Sequence, residues 1–287
     1  MKEIVILSGK GGTGKTTVTA ALASLLGPPL VLVDADVEVS NLPLLLAHRL
    51  EREDYFRAGW EPVRDEERCS GCGICLEKCR FGAIRKDLRV DHWACEGCGV
   101  CAWFCPEEAI EMREKEVGRI CLSQTRYGPL VHAELFPGEE NSGKLVAEVK
   151  RRGRCLAEKK GLPLLLVDGA PGIGCPVMAS LSGADLVLMV VEPTLSALHD
   201  LERLGRLLKH FDLSGYIILN KADLEPDLAS FLRERAGEWA FLGEIPYDEE
   251  VFYALQEARP LPEVSQGKAS RALREIAASL KNVLKEG

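Results

Sequence analysis

Short runs of uninterrupted apolar residues recur along the chain, each ending abruptly in polar or glycine-rich residues. EIVILS (3–8), PLVLVDA (29–35), LPLLLVDG (162–169), ADLVLMVVE (184–192), GYIILN (215–220) and AFLGEI (240–245) are apolar at successive positions. Strands buried on both faces read this way, whereas half-exposed strands alternate. Amphipathic stretches with a helical period separate them. The pattern predicts an α/β fold, a mostly parallel sheet with helices on both faces. Ligands of such sheets bind beyond the carboxyl ends of the strands, which directs attention to the residues after each run.

Between about Trp60 and Glu116 the alternation stops. The segment is rich in Cys and Gly and carries 13 acidic and 9 basic residues, a local net of −4. It reads as a small inserted domain, 60–116, interrupting a main domain formed by 1–59 and 117–287. Near the carboxyl end, Leu273, Ile276, Leu280 and Leu284 form an apolar stripe on a final helix. Packing on the sheet is expected for it, because its polar face mixes acidic and basic residues, unlike a membrane-seeking helix.

Composition narrows the function. The 287 residues are 46% hydrophobic and 28% charged, with a formal net charge of −8. No Lys/Arg-rich run offers phosphate neutralisation, so nucleic acid is not an expected partner. The apolar runs fall short of the roughly 18–20 residues that cross a bilayer. The first strand starts too early for a secretory leader. A cytoplasmic location with no stable membrane insertion is therefore expected. Eleven cysteines in such a compartment imply metal binding or reactivity rather than a disulfide framework, and eight of them lie between Cys69 and Cys105.

SGKGGTGKTT, Ser8–Thr17, follows the first strand and opens a helix. Gly9, Gly14, Lys15 and Thr16 match the phosphate-binding loop G-x-x-x-x-G-K-[ST] in its required context. Residues Gly9, Lys10, Gly11, Gly12, Thr13, Gly14, Lys15, Thr16 and Thr17 form the candidate nucleotide cradle. Lys15 would reach the outer phosphates and Thr16 would hold magnesium. Lys10 is one lysine more than the loop needs. Phosphoryl transfer gains most from a cation supplied from outside, so Lys10 points to a partner subunit.

The form K-G-G-x-G-K-T resembles the deviant Walker A ATPases: the nitrogenase iron protein, MinD-type and ParA-type ATPases and Mrp-type carriers. The resemblance implies that Lys10 crosses a nucleotide-sandwiched homodimer. It implies that Asp36, in DADVEVSNL after Asp34, orients the attacking water and helps hold magnesium, and that Asp168 in DGAPGIG holds magnesium through water. Gly169 and Gly172 suit a loop that moves with the outer phosphate. Asn220 in NKAD is implied as a base reader. NKxD is also a guanine-reading motif, so Asp223 keeps GTP open beside ATP. Pro246 in EIPYD resembles a family loop near the adenine, although a strand-ending proline needs no ligand.

CSGCGICLEKC and CEGCGVCAWFCP each carry C-x2-C-x2-C-x3-C, the bacterial ferredoxin run, whose fourth cysteine ligates the other cluster. One 4Fe-4S cluster is thus expected on Cys69, Cys72, Cys75 and Cys105, and a second on Cys79, Cys95, Cys98 and Cys101. Paired zinc sites are the competing reading, disfavoured because zinc takes two separated cysteine pairs. Pro106 follows the second run, but Arg80 stands where the first would have proline. Of the other cysteines, Cys121 and Cys155 read as small buried hydrophobes. Cys175 lies seven residues after Asp168, a spacing that resembles the cluster-ligating cysteine of the nitrogenase iron protein, and is a candidate extra metal ligand.

Together these features resemble the MinD-superfamily ATPases with an inserted ferredoxin domain, as do GPLVHAELFPGEENSGKLV (128–146) and DGAPGIGCPV. The resemblance implies a dimeric, magnesium-dependent ATPase with two 4Fe-4S clusters, coupling nucleotide state to electron transfer for a redox or metallocluster client. A cluster-carrier or assembly ATPase is one alternative. A MinD/ParA-like positioning ATPase whose clusters sense redox state is another.

Overall fold

The computed structural model describes residues 1–139, 142–236 and 239–286. In chain order β1 (Lys2–Ser8), α1 (Lys15–Leu26), β2 (Leu30–Asp34), α2 (Leu42–Leu45) and β3 (Arg49–Arg64) come first. Then come α3 (Ile74–Lys78), α4 (Val100–Trp103), β4 (Ile110–Thr125), β5 (Gly128–Leu135) and α5 (Ser142–Lys160). The chain continues through β6 (Leu164–Pro171), α6 (Cys175–Leu181), β7 (Leu186–Val191), α7 (Ala197–His210) and β8 (Gly215–Asn220). It ends with α8 (Pro226–Arg235), β9 (Ala240–Ile245), α9 (Glu250–Gln256), α10 (Leu261–Val264) and α11 (Lys268–Glu286). The 128–146 stretch thus opens with β5 and enters α5, while its Glu140 and Asn141 lie outside the described residues.

The sheet runs β3-β4-β5-β2-β6-β1-β7-β8-β9. All six apolar runs are strands within it, and β2, β6, β1, β7, β8 and β9 pair in parallel, as does β5 with β2. The expected parallel α/β architecture is therefore present. The other edge differs. Only Arg126 and Tyr127 separate β4 from β5, far too short for a parallel crossover, so that pair is antiparallel. β3, β4 and β5 carry none of the long apolar runs that mark doubly covered strands; much of β3 and the first half of β4 are exposed.

Side chains alternate across each strand. Ile4, Ile6, Leu30, Leu32, Leu166, Leu188 and Ile218 share a core with Val18, Ala21 and Leu22 of α1 and with Leu273, Ile276 and Leu280 of α11. The apolar stripe of the last helix is thus spent on the sheet, and Leu284 packs at its margin. Truncating Leu280 to Ala would cost about 2–5 kcal/mol. On the opposite face, Val33 and Leu165 lie against α5 at Gly153. Among the described residues, no helix is long and apolar enough to cross a membrane.

The chain divides into two compact units. One comprises Met1–Asp54, Ile120–Leu135 and Ser142–Gly287; the other comprises Tyr55–Arg119 and Phe136–Asn141. Two of the four divisions fall inside β3 and β4, one follows the end of β5 and one precedes α5.

Candidate functional site

In the first unit, β1 ends at Ser8 and the glycine-rich loop delivers the chain to α1 at Lys15. Gly14, the residue before α1, sits at φ +90°, and a Cβ there would lie 2.3 Å from Asn220 Nδ2. Only glycine fits this backbone, which lets Asn220 donate from Nδ2 to the Thr13 carbonyl at 2.7 Å. β8 and the loop are thereby tied together. Thr13 Oγ1 is buried without a hydrogen-bond partner, a polar atom in the cradle that a bound phosphate would satisfy.

Lys15 is 5% exposed. Its Nζ lies 2.7 Å from Asp168 Oδ1 and 3.8 Å from Asp36 Oδ2. Thr16 donates to Asp168 Oδ2 at 2.7 Å and Thr19 to Asp168 Oδ1 at 3.0 Å. The strand ends carrying Asp34, Asp36 and Asp168 thus converge on the start of α1. Burial works against the Lys15 charge, but the Asp168 carboxylate, with Asp34 and Asp36 behind it, holds the ammonium above the ordinary lysine range. Burial and the neighbouring Asp168 charge push Asp34 up to about 7, against Lys15 and hydrogen bonds from Ser40 and the Asp36 amide. Asp36 is also raised, chiefly by burial. Even with Asp34 partly protonated, Asp36 and Asp168 around one lysine leave negative charge that a divalent cation would neutralise.

Lys10 occupies the same loop but points elsewhere. Its Nζ pairs with Glu192 Oε1 at 2.9 Å and donates to Thr194 Oγ1 at 3.2 Å. Glu192 also holds Lys221 at 3.0 Å, and Lys221 reaches the Gly12 carbonyl. Burial of Glu192 opposes its charge, but these two lysines hold its carboxyl below the usual range. Nothing in the sequence distinguished Glu192 or Thr194 from any other strand-end residue; only the folded loop brings them to Lys10.

Beyond the loop lies a cavity of about 190 Å³ lined by Gly12, Gly14, Asn220, Pro246, Tyr247 and Phe252, among others. Asn220 and Pro246 therefore meet where a base would sit beside the cradle. Asp223 does not line it. Its carboxylate accepts from the Tyr247 amide at 2.5 Å and pairs with Lys268 at 2.7 Å, and the Lys268 bond holds it below the usual carboxylate range. Cys175 is exposed at the start of α6, its Cβ facing Gly143. Cys121 is buried and Cys155 half-buried, and both line a cavity of about 310 Å³ with Arg52, Arg151, Arg152 and Lys159.

The second unit gathers the remaining eight cysteines into two pockets. Cys69, Cys72, Cys75 and Cys105 line one, with Pro106 and Ile110. Cys79, Cys95, Cys98 and Cys101 line the other, with Phe81 and Met112. The fourth cysteine of each run therefore faces the first three of the other run. The two runs share a backbone: Gly73, before α3, has φ 77° and ψ 0°, and Gly99, before α4, has φ 76° and ψ −2°. At Gly97 (φ +62°) a Cβ would strike the Trp60 carbonyl oxygen at 2.2 Å, so glycine is what lets β3 close over the second run. Arg80, the departure from proline, stacks its guanidinium 4.9 Å over the Phe81 ring. Among the described residues, no three His, Cys, Asp or Glu side chains converge on a single metal position.

A family model described as the CobQ/CobB/MinD/ParA nucleotide binding domain matches residues 4–261. An uncharacterized protein of Methanocaldococcus jannaschii is 34% identical over 223 residues, which cover 76% of this chain and 78% of that one. The cell division ATPase MinD of Pyrococcus furiosus superposes with a TM-score of 0.61 at 21% identity, covering 98% of this chain and 99% of that one. The septum site-determining protein MinD of Pyrococcus horikoshii, complexed with Mg-ADP, gives 0.60 at 20% identity, covering 99% and 97%. With the phosphate loop, its buried lysine and the strand-end aspartates in one place, the chain belongs to the CobQ/CobB/MinD/ParA family and is a P-loop ATPase of the MinD/ParA kind.

Proposed function

We propose that this protein is a MinD/ParA-like ATPase that organises a partner protein through an ATP-dependent homodimer, and that its second unit is a two-cluster ferredoxin module making the cycle sensitive to redox state. Family membership supports the ATPase cycle. The observation that carries the redox half is the sorting of eight cysteines into two pockets of four, in the crossed pairing that the bacterial ferredoxin run uses. Thiols spread around the wall of a pocket suit a multi-atom cluster; zinc needs four sulfurs converging at about 2.3 Å.

In this reading Lys15 and the loop amides bind the phosphates, and Thr16, Asp36 and Asp168 hold Mg2+. Magnesium commonly takes only one or two carboxylates and completes its shell with phosphate and water, so Asp36 and Asp168 suffice without a third acid converging on it. Asp36 orients the attacking water, and Asn220 with Pro246 faces the base. Asp223 pairs with Lys268 and the Tyr247 amide outside that cavity, which supports ATP over GTP in this reading. Lys10 must leave Glu192 and Thr194 to act on a second subunit, so dimer formation includes breaking that contact. The 4Fe-4S groups, when bound by the two cysteine sets, supply reversible one-electron chemistry.

A second reading, an ATP-gated electron carrier, draws on the same pockets. Sensing requires only that redox state shift the dimer equilibrium; carrying requires electron turnover tied to hydrolysis. The test is dimerisation and ATPase rate in oxidised and reduced protein, with Lys15→Ala as control, beside the MgATP dependence of electron delivery to a viologen-type acceptor. A redox-dependent dimer without ATP-accelerated delivery supports the organiser. Accelerated delivery supports the carrier. Protein lacking iron and acid-labile sulfide after anaerobic purification rules out both redox readings and leaves the ATPase.

A further inference from the structure

The two cysteine sets are near-copies of each other in sequence, backbone and exposure. Cys72 and Cys98 are both exposed, Cys69 and Cys95 both half-buried, and Cys105 and Cys79 both half-buried; the third cysteines differ only in degree, Cys75 being buried and Cys101 half-buried. Each pocket wall carries one carboxylate, Glu107 in one and Glu96 in the other. Solvent access and wall charge therefore do little to distinguish them.

The polar contacts to sulfur do distinguish them. Arg64, at the end of β3 with 21% of its side chain exposed, donates from Nη1 to Cys69 Sγ at 3.6 Å. The Ala109 amide donates to Cys105 Sγ at 3.3 Å. Among the described residues, no arginine or lysine hydrogen-bonds a sulfur of the Cys79, Cys95, Cys98 and Cys101 set. Arg80, next in the chain to Cys79, is stacked on Phe81 instead.

We infer that Arg64 raises the reduction potential at the Cys69, Cys72, Cys75 and Cys105 site above that of its twin, so that an electron entering the module from an external low-potential reductant comes to rest there. The inference rests on the two-cluster reading above. An added electron increases the negative charge on the cluster and its thiolates, so a neighbouring cation and N–H donors stabilise the reduced form more than the oxidised one. Glu66 opposes this: its carboxylate lies 3.4 Å from Arg64 Nη2 and is 83% exposed, drawing part of the guanidinium's field into solvent.

The experiment is an anaerobic EPR-monitored titration with dithionite, accompanied by iron and sulfide analysis, on the wild-type full chain, Arg64→Gln and Glu66→Gln. Wild type should show two separable potentials. In Arg64→Gln the higher should fall and the lower stay, with iron content unchanged. A charged hydrogen bond of ordinary strength corresponds to about tenfold in the reduction equilibrium, or about 59 mV for a one-electron couple. Glu66→Gln, a surface change that leaves Arg64 in place, should move the same potential upward by a smaller amount, and it carries the test if Arg64→Gln fails to hold iron. Unmoved potentials in iron-replete variants, or a shift of the lower one, overturn the inference while leaving the two-cluster reading intact. Wild type without the two signals overturns that reading itself.

Discussion

The phosphate cradle and the cysteine pockets satisfy their polar atoms in different ways. In the cradle the functional polar groups already have protein partners: Lys15 with Asp168, Lys10 with Glu192, Asn220 with the Thr13 carbonyl. The loop is anchored to buried parallel strands. In the second unit eight thiols surround two spaces, and their polar partners are mainly backbone amides, with Arg64 on Cys69 as the charged one among the described residues. Its short helices, α3 of 5 residues and α4 of 4, bury little, and its ion pairs are mostly exposed. The first region keeps its shape by packing. In the two-cluster reading the second depends on what it binds, because ligand binding to a small module is also folding free energy.

The largest expected effect tests that contrast directly. Stripping iron by chelation should raise amide exchange in Tyr55–Arg119 by on the order of a thousandfold, the protection a ligand gives at a thousand times its Kd, and leave β1, β6 and β7 unchanged. Equal exchange in the two forms would show that the second unit is held by its own packing. Next, Lys15→Ala should lower hydrolysis by about a thousandfold. It should also destabilise the nucleotide-free protein by about 3–5 kcal/mol in urea unfolding, since three carboxylates lose their shared buried cation.

Lys10→Ala should reduce hydrolysis by about a hundredfold while sparing nucleotide binding by the monomer, because its ammonium is parked on Glu192 rather than in the cradle. Equal loss of both, with an unchanged monomer–dimer balance, would exclude action across a dimer.

A smaller effect comes from Lys150 of α5, buried beside Glu3 at 2.8 Å. Burial depresses its ammonium to about 8, against the pull of Glu3. The unfolded chain then binds more protons than the folded one between about pH 8 and 10.5, so stability should rise with pH there, by at most about 1.4 kcal/mol per unit. Lys150→Met should flatten that slope, with Glu3 retaining Arg154. Smallest of all, Arg57→Ala in the second unit removes only an exposed pair with Glu116 and should leave the melting temperature where it is.

How much of this was legible beforehand depended on local physics. Six parallel strands announced themselves because each carries a run of successive apolar side chains, and the phosphate loop because its glycines and lysine must stand at fixed spacing. The stripe Leu273, Ile276, Leu280 marked a packing face. β3, β4 and β5 escaped because they lack long apolar runs and, for β3 and the first half of β4, are exposed, and their partner choice is set by register with distant strands. Asp223 was legible as chemistry but not as geometry: only the fold shows Lys268, 45 residues on, taking its carboxylate.

The sequence by itself determined the ATPase family, the cradle residues and the crossed sets of cysteines, because each depends on residue types at short, fixed separations. Tertiary structure decided the rest. It parked Lys10 on Glu192, gathered Asp34, Asp36 and Asp168 around Lys15, and brought Asn220 to the loop and Pro246 to the neighbouring cavity. It also set Arg64 against one cysteine set and not the other. Those contacts join residues with no fixed spacing in the chain, and only the pairing of strands and the packing of helices determines which distant side chains meet.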